Sequence, residues 1–247
     1  YGTGLKFGSD HIPTQTKVGK EIGAFYLYEA DGIFKTDAEA AAYKNKDGDA
    51  LQPDAKAGDI RFRDANGDGV IDENDKTYQG TGFPKFEYGF NITANYKQFD
   101  LSVFFQGVGG NKIYNGNRFE LEGMEAGRNY LATTLNAWTP QNPNSSMPRA
   151  VLGDPNGNSR ESTRFLENGA YLRLKLLQLG YTLPTALVQR AWMQKVRIYV
   201  GAQNLLTITK YNGLDPEVGR VNVLNTGVDR VLYPQNKRWI AGIQITL

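Results

Sequence analysis

Along five stretches of this chain, apolar and polar residues alternate one for one. From Phe86 to Tyr96, the residues Phe86, Tyr88, Phe90, Ile92, Ala94 and Tyr96 fall on one side, and Glu87, Gly89, Asn91, Thr93 and Asn95 on the other. A period of two held over such a run predicts a strand with unlike faces. After Lys97-Gln98 the pattern resumes, with Phe99, Leu101, Val103 and Phe105 opposite Asp100, Ser102, Phe104 and Gln106. So short a connection predicts an antiparallel hairpin. In the third run, Leu172, Leu174 and Leu176 alternate with Arg173 and Lys175, and the phase then slips at Leu177, which predicts a β-bulge. Val196, Ile198, Val200 and Ala202 set against Arg197, Tyr199, Gly201 and Gln203 make the fourth run. Trp239, Ala241, Ile243, Ile245 and Leu247 set against Arg238, Ile240, Gly242, Gln244 and Thr246 make the fifth. Strands are therefore expected over about 86–96, 98–108, 171–181, 196–206 and 237–247. Helices are few: Asp37 to Tyr43, with Thr36 as N-cap and Glu39 at its third position, and a short piece from Leu187 to Met193 after Pro184-Thr185.

The connections alternate between short and long. The link at Lys97 is tight and that from Pro184 to Lys195 moderate, whereas 109–169 and 207–236 are long and polar. Transmembrane barrels alternate in this way, with tight turns at one end and long external loops at the other. Aromatic residues gather near the run ends (Phe86, Tyr88, Tyr96, Phe99, Tyr171, Tyr181 and Trp239), as interfacial girdles require. The competing architecture is an antiparallel sandwich with one wet face. Five strands cannot close a membrane barrel, and an open sheet edge in hydrocarbon would strand its backbone donors and acceptors. A barrel reading therefore demands further strands. On that reading residues 1–83 form an external loop region, and 84–247 hold the barrel strands with external loops 109–169 and 207–236.

Composition narrows the chemistry. The 28 basic and 26 acidic residues leave a formal charge of +2, so nothing points to nucleic acid. The absence of Cys excludes disulfides, thiolate metal sites and cysteine nucleophiles. The single histidine, His11, sits in a polar, loop-like stretch and cannot build a multi-histidine zinc site. No motif places paired carboxylates for glycoside hydrolysis, and no glycine-rich phosphate loop opens a helix, so an enzyme is not expected. No apolar run reaches the length of about 18 residues that a membrane helix needs. That leaves barrels untouched, because they hide apolar residues in alternation.

One motif carries chemistry. Asp64 to Asp75 reads DANGDGVIDEND, the oxygen-donor order of an EF-hand-type calcium loop. Asp64, Asn66 and Asp68 supply oxygens at the first, third and fifth positions, Val70 its carbonyl at the seventh, Asp72 the ninth and Asp75 the twelfth. Gly69 permits the sharp turn, and Ile71 points an apolar side chain inward. Asp75 is shorter than the usual glutamate. The flank Ile60 to Arg63 looks extended, so the expected role is a structural calcium staple in a loop, not a helix–loop–helix switch. A polar Asx turn holding only sodium or water is the alternative.

These segments resemble the C-terminal barrel region of SusC/RagA-type TonB-dependent transporters of the Bacteroidetes outer membrane. The likeness rests on GKEIGAFYLYEADGIF (Gly19 to Phe34), GDIRFRDANGDGVIDEND (Gly58 to Asp75), the FDLSVFFQGVGG core within Pro84 to Gly110, and Trp138-Thr139-Pro140 followed by Pro148-Arg149. It continues through ENGAYLRLKLLQLGYTLP (Glu167 to Pro184), AQNLLTITKYNGLDPE ending at Glu217, and Tyr233-Pro234 with the final run. The resemblance implies an all-β fold: the last five strands of a large plugged antiparallel barrel with long external loops. It implies import of glycans or oligosaccharides, sometimes peptides, across the cell outer membrane, with membrane lipid around the barrel. A SusD-like surface lipoprotein would lid the channel. The remaining N-terminal barrel and plug portion would supply the contact with the TonB complex, which has no counterpart in these residues. Leu247 stands where the family commonly ends on an aromatic. Trp138, Tyr211 and Tyr233 fall in expected external loops, where they would stack on sugar rings or pack loops together. The alternative function is a secreted, calcium-stabilised β-domain that binds glycans or acts as an adhesin.

Overall fold

All five alternating runs are strands of a single antiparallel sheet. The computed structural model describes residues 12–124, 129–189, 192–218 and 222–247, and His11 lies outside them. The strands are β1 (Phe86–Tyr96), β2 (Phe99–Gly109), β3 (Tyr171–Thr182), β4 (Lys195–Thr209) and β5 (Arg238–Thr246), hydrogen-bonded in the order β5-β4-β3-β2-β1. Sequence neighbours pair with one another, as short connections favour. Tyr96 pairs with Phe99 across the tight turn, where Lys97 takes a φ of 53°.

The bulge falls earlier in the chain than the slip at Leu177 predicts. Leu174 faces Phe105, but Leu176 faces Phe104, so β3 holds an extra residue at Lys175. Against β3, the strand β4 carries its own extra residue, since Leu174 pairs with Leu206 and Leu176 with Gln203. Asn204, within that bulge, has a φ of 51°, a conformation asparagine tolerates better than most residues. Leu176 therefore shares a face with Phe104, not with Leu174. Leu176 and Leu177 are adjacent and equally apolar, so alternation alone cannot say which is out of phase.

Strands β1 to β5 belong to a unit made of Pro84–Asn111, Asn168–Glu217 and Tyr233–Leu247. A second unit combines the chain up to Phe83 with Lys112–Glu167 and Val218–Leu232. The stretches that read as polar loops thus fold with a core of their own. Phe25, Leu27, Tyr114, Phe119, Phe165 and Val228 are all buried together. Strands Thr14–Gln15, Ala24–Leu27 and Thr77–Thr81 form a sheet in which the first and third flank Ala24–Leu27. Lys112–Asn115 pairs in parallel with Val228–Asp229. These aromatics lie far apart in sequence without periodicity, which is why pattern reading leaves them as loop.

The helix Asp37–Ala42 starts as its sequence dictates. Thr36 Oγ1 accepts from Glu39 N at 3.1 Å, while the Glu39 carboxylate accepts from Lys35 N, one residue ahead of the cap. The second expected helix, from Leu187, instead covers Thr185–Val188. A third, Gly116–Glu122, is not anticipated by the sequence reading. Its cap is Asn115, which accepts from Arg118 N at 3.1 Å.

Candidate functional site

The five-stranded sheet has one greasy face and one wet face. Register aligns Ile92, Val103, Leu177, Ala202 and Trp239 in one row, and Tyr96, Phe99, Tyr181, Ile198 and Ile243 in another. Both rows lie on the same face, because they are two pleats apart along every strand. Much of this face is not tucked into a core: Phe90 is 58% exposed, Ile243 65% and Trp239 75%, while the small Ala202 is buried. No soluble sandwich would leave its central apolar face so open. The Phe99 and Tyr181 rings meet at 4.8 Å near the tight turn, and Phe86 stacks on Tyr88 at the opposite end. Tyr171 does not join this girdle. It aligns with Val108 and Glu87 on the polar side and is buried.

The polar face carries ion pairs. Arg173, only 3% exposed in its side chain, donates to Asp215 Oδ1 at 2.5 Å and to Glu217 Oε2 at 2.8 Å. Lys175, at the bulge, adds a second cation to Glu217 at 2.6 Å. Asp215 Oδ2 also accepts from Gln235 N at 2.7 Å, so one carboxylate holds two stretches of the 207–236 connection to the wall. Burial pushes the Asp215 carboxyl up. The Arg173 guanidinium and the N–H groups of Gln235 and Glu217 outweigh this and leave it below the usual carboxylate range. Arg197 pairs with Asp100 across the same face.

The aspartate loop adopts the turn its glycines allow. Gly67 and Gly69 have φ values of 75° and 89°, and Asp64 accepts from both, Oδ1 from Gly67 N at 2.6 Å and Oδ2 from Gly69 N at 2.9 Å. Asn66 Oδ1 accepts from Asp68 N, and Asp68 Oδ1 from Val70 N. Asp72 caps a single helical turn, Glu73–Asp75, while the fully buried Asp75 accepts from Ala65 N and Asp72 N at 2.8 Å each and from Asn66 N at 3.3 Å. Ile71 packs against Tyr28, Ile60 and Phe62, as the inward apolar position requires, whereas Val70 is exposed. The potential donors are all oxygens, the chemistry a hard divalent cation takes. Among the described residues, no three Asp, Glu, His or Cys side chains converge on one point as metal ligands.

A related loop escapes the sequence reading. Asp154-Pro155-Asn156-Gly157-Asn158 echoes Asp64-Ala65-Asn66-Gly67-Asp68, but its amides turn inward. Asn158 Oδ1 accepts from Ile60 N at 2.8 Å, Asn156 Nδ2 donates to Ile60 O at 3.1 Å, and Gln52 Oε1 accepts from Phe62 N at 2.8 Å. Three side-chain amides thus stand in for a neighbouring strand along Ile60–Phe62. The repeated Asp-x-Asn-Gly spacing is the signal that could have found the two asparagines, though not Gln52.

The three candidate stacking residues separate. Trp138 is half-buried and lies over Gly58, where any Cβ would strike its ring. Tyr211 is 5% exposed and packs on Gly213, so it offers no open face. Tyr233 is 87% exposed.

Comparison with known proteins accounts for this architecture. No protein-family model matches the chain. TonB-dependent receptor P3 of Formosa agariphila is 36% identical over 245 residues, covering 95% of this chain. The chain belongs to the SusC/RagA-type TonB-dependent receptor family. TonB-dependent receptor SusC of Bacteroides thetaiotaomicron is 25% identical over 93% of the chain. The solved RagAB peptide importer in its closed-closed state matches 98% of the chain with a TM-score of 0.67 and 29% identity. The chain spans 23% of receptor P3, 20% of SusC and 25% of that importer chain, about a quarter or less of each. TonB-dependent receptors of this type are outer-membrane proteins. No helix among the described residues is long and apolar enough to cross a membrane, which says nothing of strands.

Proposed function

We propose that this chain forms part of the wall and loops of an outer-membrane channel that imports oligosaccharides or peptides with energy relayed through TonB. The observation that supports it is the two-faced sheet. Its apolar side is exposed where lipid would lie, its polar side carries paired charges, and its two edge strands, β1 and β5, await partners. Further strands from the rest of the receptor would close both edges, as hydrocarbon demands. A SusD-like surface lipoprotein would lid the opening, and the plug would contact TonB. The test is uptake by cells carrying the full-length receptor, with oligosaccharide and peptide pools supplied separately. Loss of growth on one pool after deletion of the receptor identifies the cargo, and unchanged growth on both overturns the import reading. Co-purification from detergent then shows whether a lipoprotein travels with it.

In the same reading, the loop from Asp64 to Asp75 holds calcium as a structural staple. Asp64, Asn66, Asp68, the Val70 carbonyl, Asp72 and Asp75 would hold the ion. Their hydrogen bonds leave lone pairs available, because a carboxylate offers about four acceptor sites. Calorimetry with calcium on the full-length receptor tests the staple, and no heat at millimolar calcium removes it.

A further inference from the structure

The apolar face of the sheet is grooved. Ala202 of β4 and Ala241 of β5 are flanked by Leu177 and Leu179 of β3, Val200 of β4 and Trp239 of β5, and together they line a trough of about 580 Å³. Ala202, 2% exposed, is its floor, and Trp239, 75% exposed, is a wall. Register gives independent support, because Leu177, Ala202 and Trp239 lie in one row and Leu179, Val200 and Ala241 in the next. We propose that this groove binds one acyl chain of a membrane lipid, whose ester or phosphate oxygen accepts the Trp239 indole N–H.

Three observations lead to that occupant. The groove is continuous with the face that the membrane reading turns toward lipid, and the proposal rests on that reading. Any further barrel strand would extend the sheet in its own plane from β1 or β5, so it would not cover this face. Trp239 is the second residue of β5, just after the long 207–236 connection. Among the described residues nothing accepts its indole N–H. A tryptophan at a strand end, with an apolar body and a free donor, suits the level where headgroup gives way to hydrocarbon. From there the small side chains Ala241 and Ala202 open a path alongside Leu179 and Leu177.

Native mass spectrometry of the full-length receptor, released from lipid nanodiscs, counts retained lipid. Ala202→Phe fills the floor, and Trp239→Phe keeps an aromatic wall but removes the N–H. Ala94→Phe alters the same face on β1, outside the lining and beyond Leu101 at the groove's edge. The wild type and Ala94→Phe are expected to hold one lipid more than Ala202→Phe. Trp239→Phe is expected to weaken retention roughly threefold to tenfold, the worth of one hydrogen bond. Should Ala202→Phe fail to assemble, the Trp239→Phe comparison decides alone. Equal lipid counts in all receptors overturn the site, as does an equal loss in Ala94→Phe, which would mark an unspecific lipid shell. A wild-type dimer that Ala202→Phe splits without losing lipid would assign the groove to a second copy of the receptor and overturn the proposal. Recovery of the receptor outside the membrane fraction would instead defeat the membrane reading itself.

Discussion

Arg197 and Asp100 stand on strands that are not neighbours, yet they form a two-point ion pair, Nε to Oδ1 at 2.8 Å and Nη2 to Oδ2 at 2.5 Å. Strand β3 runs between them, and the residue it places there is Gly180, which pairs with Asp100 on one side and Tyr199 on the other. A Cβ at this position would collide with both the carboxylate and the guanidinium. The missing side chain is what lets the bridge span the middle strand. Gly180→Ala should displace the pair at a cost of about 1 kcal/mol, the upper range for partly exposed ion pairs. Combined with Asp100→Asn, the second change should add almost nothing. A double-mutant cycle by denaturant unfolding of the receptor checks this, and strict additivity would show that the two sites are independent.

Arg173 is the buried counterpart. Arg173→Met leaves Asp215 without its cation, which should cost about 3–5 kcal/mol and release the 207–236 connection. The measurement is limited proteolysis of that connection in the full receptor. Acid should imitate the mutation. The folded pKa of Asp215 is depressed, so its contribution is complete above the unfolded value of about 3.9 and fades as pH falls through the lower folded value. Cleavage in the wild type should therefore rise below about pH 4, while Asp215→Asn should be cleaved readily at every pH.

Asp75 organises the aspartate loop before any ion is considered. Asp75→Ala removes the acceptor of the Ala65, Asn66 and Asp72 N–H groups and should destabilise its unit by about 1–3 kcal/mol per orphaned donor that water cannot reach. Thermal unfolding in chelator reads this directly. Adding calcium should raise the wild-type midpoint and leave Asp75→Ala unmoved. A calcium shift of equal size in both would show that the ion binds elsewhere.

Exposure sorts the loop aromatics. Tyr233→Ala should lower uptake while leaving the unfolding midpoint unchanged. Trp138→Ala and Tyr211→Ala should lower the midpoint, because each fills space over a glycine. Uptake assays paired with unfolding curves separate the two effects, and full uptake in Tyr233→Ala would remove that residue from the cargo path.

Much of the sheet is legible in the chain as written, because a strand with one lipid-facing side must alternate, and these five runs hold that period over the length of a long strand. Phe86 to Tyr96 and Arg238 to Thr246 could be drawn from the residues alone, as could the Thr36 cap and the turn at Gly67 and Gly69. These are local demands, met by residues within a few positions of one another. Tertiary structure alone decided where the bulges fall, that Tyr171 faces the polar side, that Gly180 makes room for Arg197, and that Tyr114 and Phe165 share a core with Phe25. Each of those depends on register or on contacts between residues tens to hundreds of positions apart. Such contacts leave no period in the sequence, because they are chosen by which surfaces fit once the strands have paired.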